Sequence, residues 1–499
     1  MADDSSSSSS SSSSSIAALR AELASVKGDM DTFWLMFGAI LVFWMQAGFA
    51  LLEVGTVARK NTKNILVKNV FDAAIGALCW WGVGYTFAFG PGDNFPKTGE
   101  NGFSGTQGFF YDLNDRSDKR ETHFSGKAMW FFQWAFAGAA TTIVSGCVAE
   151  RCSFTAYLVY AVVLTSVIYP MVVHMTWSAE GALSPWRPSD ADDRSGGRLL
   201  GGCGFIDFAG SGTVHMTGGV AALVAAVFVG PRLGRFGPNY VLPEPHPVYQ
   251  TLGVLILWMG WYGFNGVSTL AIVGYSGLAA HVMMTTTIAA AAACLCTTLI
   301  GYLIDHIIDP GMVNNGILAG LVAVTSACST CSLWGAFAIG LLAGPIYVFS
   351  SRFLKKLQID DVVDAVPVHG CCGTFGAIAP ALFATPYYYS ASYYTDRKDR
   401  CAGVFYGGNP AGSLKAAFAA VATIWAWVAS TVSIVFGIVR LLGLHRVSAE
   451  VERAGMDASK HGGAITVYES ERSEGAKVAS TAQPASTDGK THPIQQGEA

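Results

Sequence analysis

Charge is scarce in this chain. Of its 499 residues only 13% are Asp, Glu, Lys or Arg, about half the roughly 25% found in soluble domains. A soluble protein of this length needs charge to cover its surface. The 31 basic and 35 acidic side chains nearly cancel, at a formal net charge of −4. No basic excess is available for nucleic acid, so that class of partner is excluded. The segment before residue 30 lacks both a basic n-region and an apolar h-region, so no cleavable signal peptide is expected. No Asn-x-Ser/Thr sequon occurs. Also missing are a Walker loop, a dinucleotide glycine fingerprint, HExxH and a serine nucleophile elbow. An Arg ladder and a TVGYG-type filter are absent too. Nothing here points to an enzyme, to ATP-driven transport, to a resident metal or to a cofactor.

What remains is apolar. Hydrophobic residues make up 51% of the chain, Gly contributes 57 residues, and the mean hydropathy is +0.39. That composition predicts a polytopic membrane protein. A helix needs about 20 apolar residues to cross a bilayer. Eleven such stretches occur: 33–52, 71–90, 128–149, 154–177, 206–230, 248–268, 281–304, 312–329, 333–350, 364–384 and 416–439. Many are rich in Gly and Ala, which lets helix backbones approach closely. The fold expected is therefore an all-α membrane protein of eleven transmembrane helices.

Eleven is odd, so the termini lie on opposite sides. Alternate loops carry the positive charge: Arg59, Lys60, Lys63 and Lys68, then Arg151, then Arg232 and Arg235, then Arg352, Lys355 and Lys356, then Arg440 and Arg446. The positive-inside rule puts these in the cytoplasm and the N-terminus outside. Three segments follow: a disordered poly-Ser start over 1–30, a helical body over 31–443, and a cytoplasmic tail over 444–499, disordered after about 470. Residues 16–27 are expected to form a short amphipathic helix. Of the eleven cysteines, most lie in apolar stretches and read as small core residues. Only Cys203 and Cys401 fall in outer loops where a bridge is open to them.

Spans 5 and 10 each contain Val-His followed by Gly, at His215 and His369, and each follows an Asp, at Asp207 and Asp364. Five spans separate them, so equivalent helices run in opposite directions. That is the arithmetic of an inverted repeat of five plus five helices, with one added. Ionisable groups inside spans are costly and mark function. His215 and His369 would either face one another along a narrow path or sit apart on backbone carbonyls. Asp207 is either a fixed charge favouring a cation or an N-cap alone. FQWAF brings Gln133 and Phe136 onto one helix face. WYGFNGVS does the same for Phe264 and Ser268, beside Trp261. HMTW ends at Trp177. These aromatics form either a cation-attracting cluster or an ordinary interfacial belt. Glu53 and Asp72 are expected to pair with Arg59, Lys60 or Lys68, and Glu150-Arg151 to clamp a loop.

The strings FQWAFAGAATTIVSGCVAER, DFAGSGTVHMTGG, WYGFNGVS, DDVVDAVPVHGCCG and GMDASKHGG resemble the ammonium transporter family, over roughly residues 30–465. FQWAF, RKNTKNI and the GMDASKHGG tail are similar to its plant and algal branch. The resemblance implies a homotrimer in the plasma membrane, with one pore per subunit and ammonium or methylammonium as substrate. It implies an outer ammonium site from Trp177, Phe136 and Ser268, with Gln133 alongside. Phe136 and Phe264 would form the gate, His215 and His369 the pore pair, and Trp261 their neighbour. Asp207 would support the site from behind. NH4+ would lose its proton, and NH3 and H+ would pass separately with net charge uptake. A neutral NH3 or CO2 channel and an ammonium sensor are the alternatives. A sensor is expected to carry a long appended domain, and the tail shows none. The tail would contact a neighbouring subunit. Ser459 would be a phosphosite for a kinase, although that branch has Thr and Arg where Ser459 and Lys460 stand.

Overall fold

The structure is a computed structural model that describes residues 5–90, 101–110, 126–187, 199–241, 243 and 245–462. The expected disorder after about 470 and the first four residues lie outside these.

Helices occupy all eleven expected stretches. They are α1 Ser5–Thr56, α2 Arg59–Phe89, α3 Gly126–Cys147, α4 Phe154–Trp177, α5 Ser211–Val229 and α6 Pro247–Trp261. Then follow α7 Ser276–Asp305, α8 Pro310–Val324, α9 Leu333–Lys356, α10 Val366–Phe383 and α11 Ser413–Leu441. Eight of these are both long and apolar enough to cross a membrane, while α8 is apolar but short. Among the described residues there is no strand, only two isolated bridges.

The first helix starts earlier than the apolar pattern suggests. It is continuous from Ser5, so the Ser run and residues 16–27 join the first span instead of forming a separate short helix. Once the span has nucleated, each added residue gains a backbone bond at little cost. Helix starts elsewhere follow capping chemistry. Ser153, Asp309 and Ser332 each accept a backbone N–H three residues on, supplying what the first turn lacks.

The packing uses small residues where helices touch. On α6, a Cβ at Gly253 would lie 2.6 Å from Gly48 O and Leu52 N of α1. On α5, a Cβ at Gly219 would overlap the Gly370 backbone and lie 2.6 Å from the carbonyl carbon of His369. Only glycine lets α5 and α10 cross there. That crossing brings the two histidine-bearing helices together.

The two ends of the bundle differ. At one end Cys203 and Cys401 form a disulfide, 198 residues apart in sequence. Of the two readings open for these loop cysteines, a bridge or small apolar core residues, the bridge is the one formed. Periodicity does not reveal that the two loops meet. At the other end Arg151 donates to the carbonyls of Cys147 at 2.7 Å, Ala149 at 3.1 Å and Gly230 at 3.0 Å. Glu150 pairs with Arg232 at 2.9 Å, and Arg232 forks onto Asp360 at 2.8 and 2.9 Å. Burial alone would raise the Asp360 carboxyl, but the Arg232 guanidinium holds it down to about 2.

Two short helices, α12 Ala449–Ala454 and α13 Met456–Lys460, dock at this second end on their own chain. The buried Asp457 carboxylate accepts the N–H groups of Lys63 and Asn64 at 3.0 Å each, capping α2. Lys60 Nζ donates to the carbonyls of Glu452 at 2.9 Å and Arg453 at 2.7 Å.

Glu53 and Asp72 do not form the expected ion pairs. Glu53 accepts from Ser145 Oγ and, at 2.8 Å, from Asn69 Nδ2. Asp72 accepts from Tyr157 at 2.5 Å and Thr142 at 3.3 Å. Lys68 Nζ has no hydrogen-bond partner and lies 5.1 Å from the Tyr157 ring centre. The helix geometry turns these carboxylates inward onto hydroxyls, while Lys60 reaches outward to the tail.

Candidate functional site

Five helices meet between the two ends of the bundle, and three of them are wound wider than α there. The turns Ser211–Met216, Tyr262–Gly266 and Val366–Cys371 are π-helical. They carry His215, Phe264 and His369. Such turns displace side chains from the α-helical register and are frequent at functional sites.

One device builds both histidine turns. Asp207 Oδ1 accepts the Gly210 N–H at 3.0 Å, and Oδ2 accepts the Thr213 N–H and hydroxyl at 2.7 Å each. Ser326 Oγ also donates to it. Gly210 takes a φ of 109°, which favours glycine. Eight residues after Asp207 comes His215. On α10 the counterpart is Asp361, whose Oδ2 accepts the Val366 N–H at 2.7 Å. His369 again follows eight residues later, and Asp364 holds the left-handed position at φ 58°. The pairing of Asp207 with Asp364 is therefore corrected to Asp207 with Asp361. Asp364 instead accepts from Tyr347 and Ser351. Burial and the neighbouring Asp364 raise the Asp361 carboxyl to about 6.

The rings form a column. Trp177 stands edge-on to Phe136 with centroids 6.0 Å apart and planes at 78°. Phe136 stacks on Phe264 at 4.1 Å and 26°. Phe264 stacks on His215 at 5.2 Å, and His215 on His369 at 5.2 Å. Trp261 lies against His215 at 4.9 Å and 17°. Phe136, Phe264 and His215 are buried, while Trp177 is partly exposed at the disulfide end. The two Nδ1 atoms of the histidines are 3.2 Å apart. One must donate and the other accept, so the pair holds opposite tautomers. His215 Nε2 is buried with no partner.

Supporting bonds fix the column. Trp177 Nε1 donates to the Asp207 carbonyl at 2.7 Å, and Trp261 Nε1 to Thr325 Oγ1 at 2.9 Å. Ser268 Oγ donates to the Phe264 carbonyl at 2.7 Å, leaving its lone pairs free to accept. Gln133 is buried one turn before Phe136, and its Oε1 has no partner. Asp207 has all its contacts within the scaffold, in line with the capping alternative.

Some residues at the site have no signature in a single chain. Phe132 packs edge-on to Phe136 at 4.8 Å, and Phe49 lies 6.3 Å from His369. Thr325 and Ser326 form the first polar step after the apolar run of α8, a signal that could have marked them. Below His369 a cavity of about 20 Å³ is lined by Glu53, Thr142, Asn315 and His369. A larger cavity of about 810 Å³ at the tail end shares Leu52, Asn315 and Val363 with it. Among the described residues no His, Cys, Asp and Glu cluster could hold a metal.

Chemically, the aromatic end offers ring faces to a cation. The Phe136–Phe264 stack offers no polar atom, so an ion crossing it with its charge would be uncompensated. The histidine pair beyond can pass a proton.

The sequence profile of the Ammonium Transporter Family matches residues 33–466. Among curated relatives, "Ammonium transporter 1 member 1" of Oryza sativa subsp. japonica is 40% identical, over 90% of this chain and 88% of its own. "Ammonium transporter Amt2" of Archaeoglobus fulgidus is 36% identical over 87% of each. A solved structure titled "Sensor Amt Protein" superposes with a TM-score of 0.75 at 30% identity, covering 87% of this chain and 99% of its own. Saccharomyces cerevisiae Mep2 shares the fold, at a TM-score of 0.70 and 24% identity over 84% of this chain and 89% of its own.

Proposed function

The chain belongs to the ammonium transporter family, and from that premise we propose that it carries ammonium inward by splitting it into NH3 and H+. NH4+ is recruited at the partly exposed Trp177, against Phe136, with Ser268 and Gln133 as hydrogen-bond acceptors. NH4+ and K+ are alike in size and charge, so ring faces alone separate them poorly. Acceptors and proton loss separate them, because K+ has no proton to give. Beyond the Phe136–Phe264 gate an isolated charge is very costly. NH3 crosses as a neutral molecule, and the proton follows through His215 and His369. Net charge uptake is then driven by the membrane potential, at about 2.3 kcal/mol per charge per 100 mV. The observation that carries this reading is the unbroken column of rings from Trp177 to the facing histidines.

All eleven helices cross the plasma membrane in this reading, with the disulfide end outside. The clustering of Arg151, Arg232, Arg352, Lys355 and Arg446 at the tail end supports that orientation. The chain works as a homotrimer, the tail of one subunit reaching the next. Ser459 is exposed on α13, two residues after the docked Asp457. Phosphate there adds about −1.5 to −2 charge beside that carboxylate and undocks the tail, closing the pore. A second reading, an ammonium sensor using the same column, is favoured by the likeness to "Sensor Amt Protein".

The test is uptake of labelled methylammonium by yeast lacking its own ammonium transporters. Uptake that ammonium competes for, K+ does not, and the double change His215→Ala with His369→Ala abolishes supports transport through the column. Surface expression without uptake would favour the sensor.

A further inference from the structure

Protons that pass His369 need a place to leave, and the bulk begins only beyond the small cavity beneath that ring. His369 turns Nδ1 toward His215, which leaves Nε2 for its other side. The cavity of about 20 Å³ there has Glu53 and Thr142 in its wall together with His369, enough room for a single water. Glu53 is 2% exposed and, among the described residues, has no salt-bridge partner. The carboxylate accepts side-chain hydrogen bonds from Ser145 on one oxygen and Asn69 on the other, with the Gly146 backbone N–H beside them. A carboxylate offers about four acceptor positions, so positions remain open. The charged groups nearest it are Lys68 and Asp72 from α2, and His369 of α10 lines the same cavity. Lys68 Nζ and Asp72 Oδ1 are buried without hydrogen-bond partners, so titratable groups of both signs stand next to Glu53. The same cavity wall leads through Leu52, Asn315 and Val363 to the 810 Å³ cavity at the tail end.

We infer that Glu53 is the exit-side proton acceptor of this pore, taking the proton from His369 and returning it to NH3 on the cytoplasmic side. His369 releases its Nε2 proton through the water to a Glu53 oxygen. The imidazolium becomes neutral imidazole and the carboxylate becomes a carboxylic acid. Glu53 then gives the proton to arriving NH3, forming NH4+ and regenerating the carboxylate. Asn69 and Ser145 position the group, and Lys68 limits the charge it buries. The inference rests on the proposed split of ammonium into NH3 and H+.

The experiment measures charge moved per methylammonium taken up, in voltage-clamped oocytes expressing the full chain. Wild type moves close to one charge per substrate. In Glu53→Gln that ratio falls at least fivefold, and Glu53→Asp restores it. The ratio is independent of how much protein reaches the surface. Should Glu53→Gln fail to reach it, Glu53→Met is read in the same way. An unchanged ratio overturns the inference, as does loss of uptake in both variants at normal surface abundance. Uptake without current in wild type would instead overturn the electrogenic reading itself.

Discussion

Removing the Asp207 carboxylate should unfasten the outer half of the pore. The side chain accepts from two backbone N–H groups, Gly210 and Thr213, and from two hydroxyls, Thr213 and Ser326. In Asp207→Ala the Thr213 hydroxyl keeps its bond to Thr176 at 2.9 Å. The two backbone N–H groups are stranded in a buried site. Each such loss costs about 1–3 kcal/mol, so the variant loses about 2–6 kcal/mol. That is a large part of a typical folding free energy of about 5–15 kcal/mol. Asp207→Asn keeps one oxygen, strands one N–H and should lose about 1–3 kcal/mol. The assay is the thermal unfolding midpoint of purified protein, paired with uptake per surface molecule. Wild type, Asn and Ala should rank in that order in both. The reasoning is refuted if Asp207→Ala unfolds like wild type and only its half-saturation concentration rises. Asp207 would then act as a charge on the cation and not as the scaffold of the π-turn.

Other outcomes follow from the same geometry. Gly219→Ala should push α5 from α10, costing about 1–3 kcal/mol by overpacking and cutting uptake at least tenfold. Gly218→Ala, whose Cβ meets no backbone atom nearer than the Ala140 carbonyl oxygen at 3.0 Å, should be milder in the same uptake and melting assays. Asp360 has its carboxyl lowered in the folded chain to about 2. Its contribution of about 2 kcal/mol is full above the ordinary Asp value near 4 and is lost as pH falls through about 2. Unfolding midpoints between pH 6 and 2.5 should fall less steeply for Asp360→Asn than for wild type. Ser459→Asp should lower uptake at least fivefold with Ser459→Ala close to wild type, measured per surface molecule.

The helices were legible because apolar runs of this length have few other uses, and all eleven ended or began within a few residues of an expected bound, although the first started far earlier. The early start of the first helix was missed, since its Ser-rich stretch has no apolar face to mark it. The histidine pair was legible from two Val-His-Gly strings, but the accompanying Asp was misread at 364. The proximity of Asp364 to the string hid Asp361, which stands at the same eight-residue distance as Asp207. The Cys203–Cys401 bridge and the Glu53 cavity depend on loops and helices far apart in sequence. No local pattern encodes such meetings. Glu53 in particular looked like one half of a structural ion pair because basic residues follow it. Helix phase turns it instead toward Ser145 and Asn69, in the wall of the cavity that His369 also lines.

The central claim is that charge and substrate enter together at Trp177 and part at the histidines. Two-electrode recording in oocytes tests it most directly, with ammonium and K+ applied at several pH values. An inward, saturable current with ammonium, absent with K+ and abolished by Trp177→Leu combined with His215→Ala, is the predicted result. Ammonium current that survives in that double variant at normal surface abundance would contradict the account.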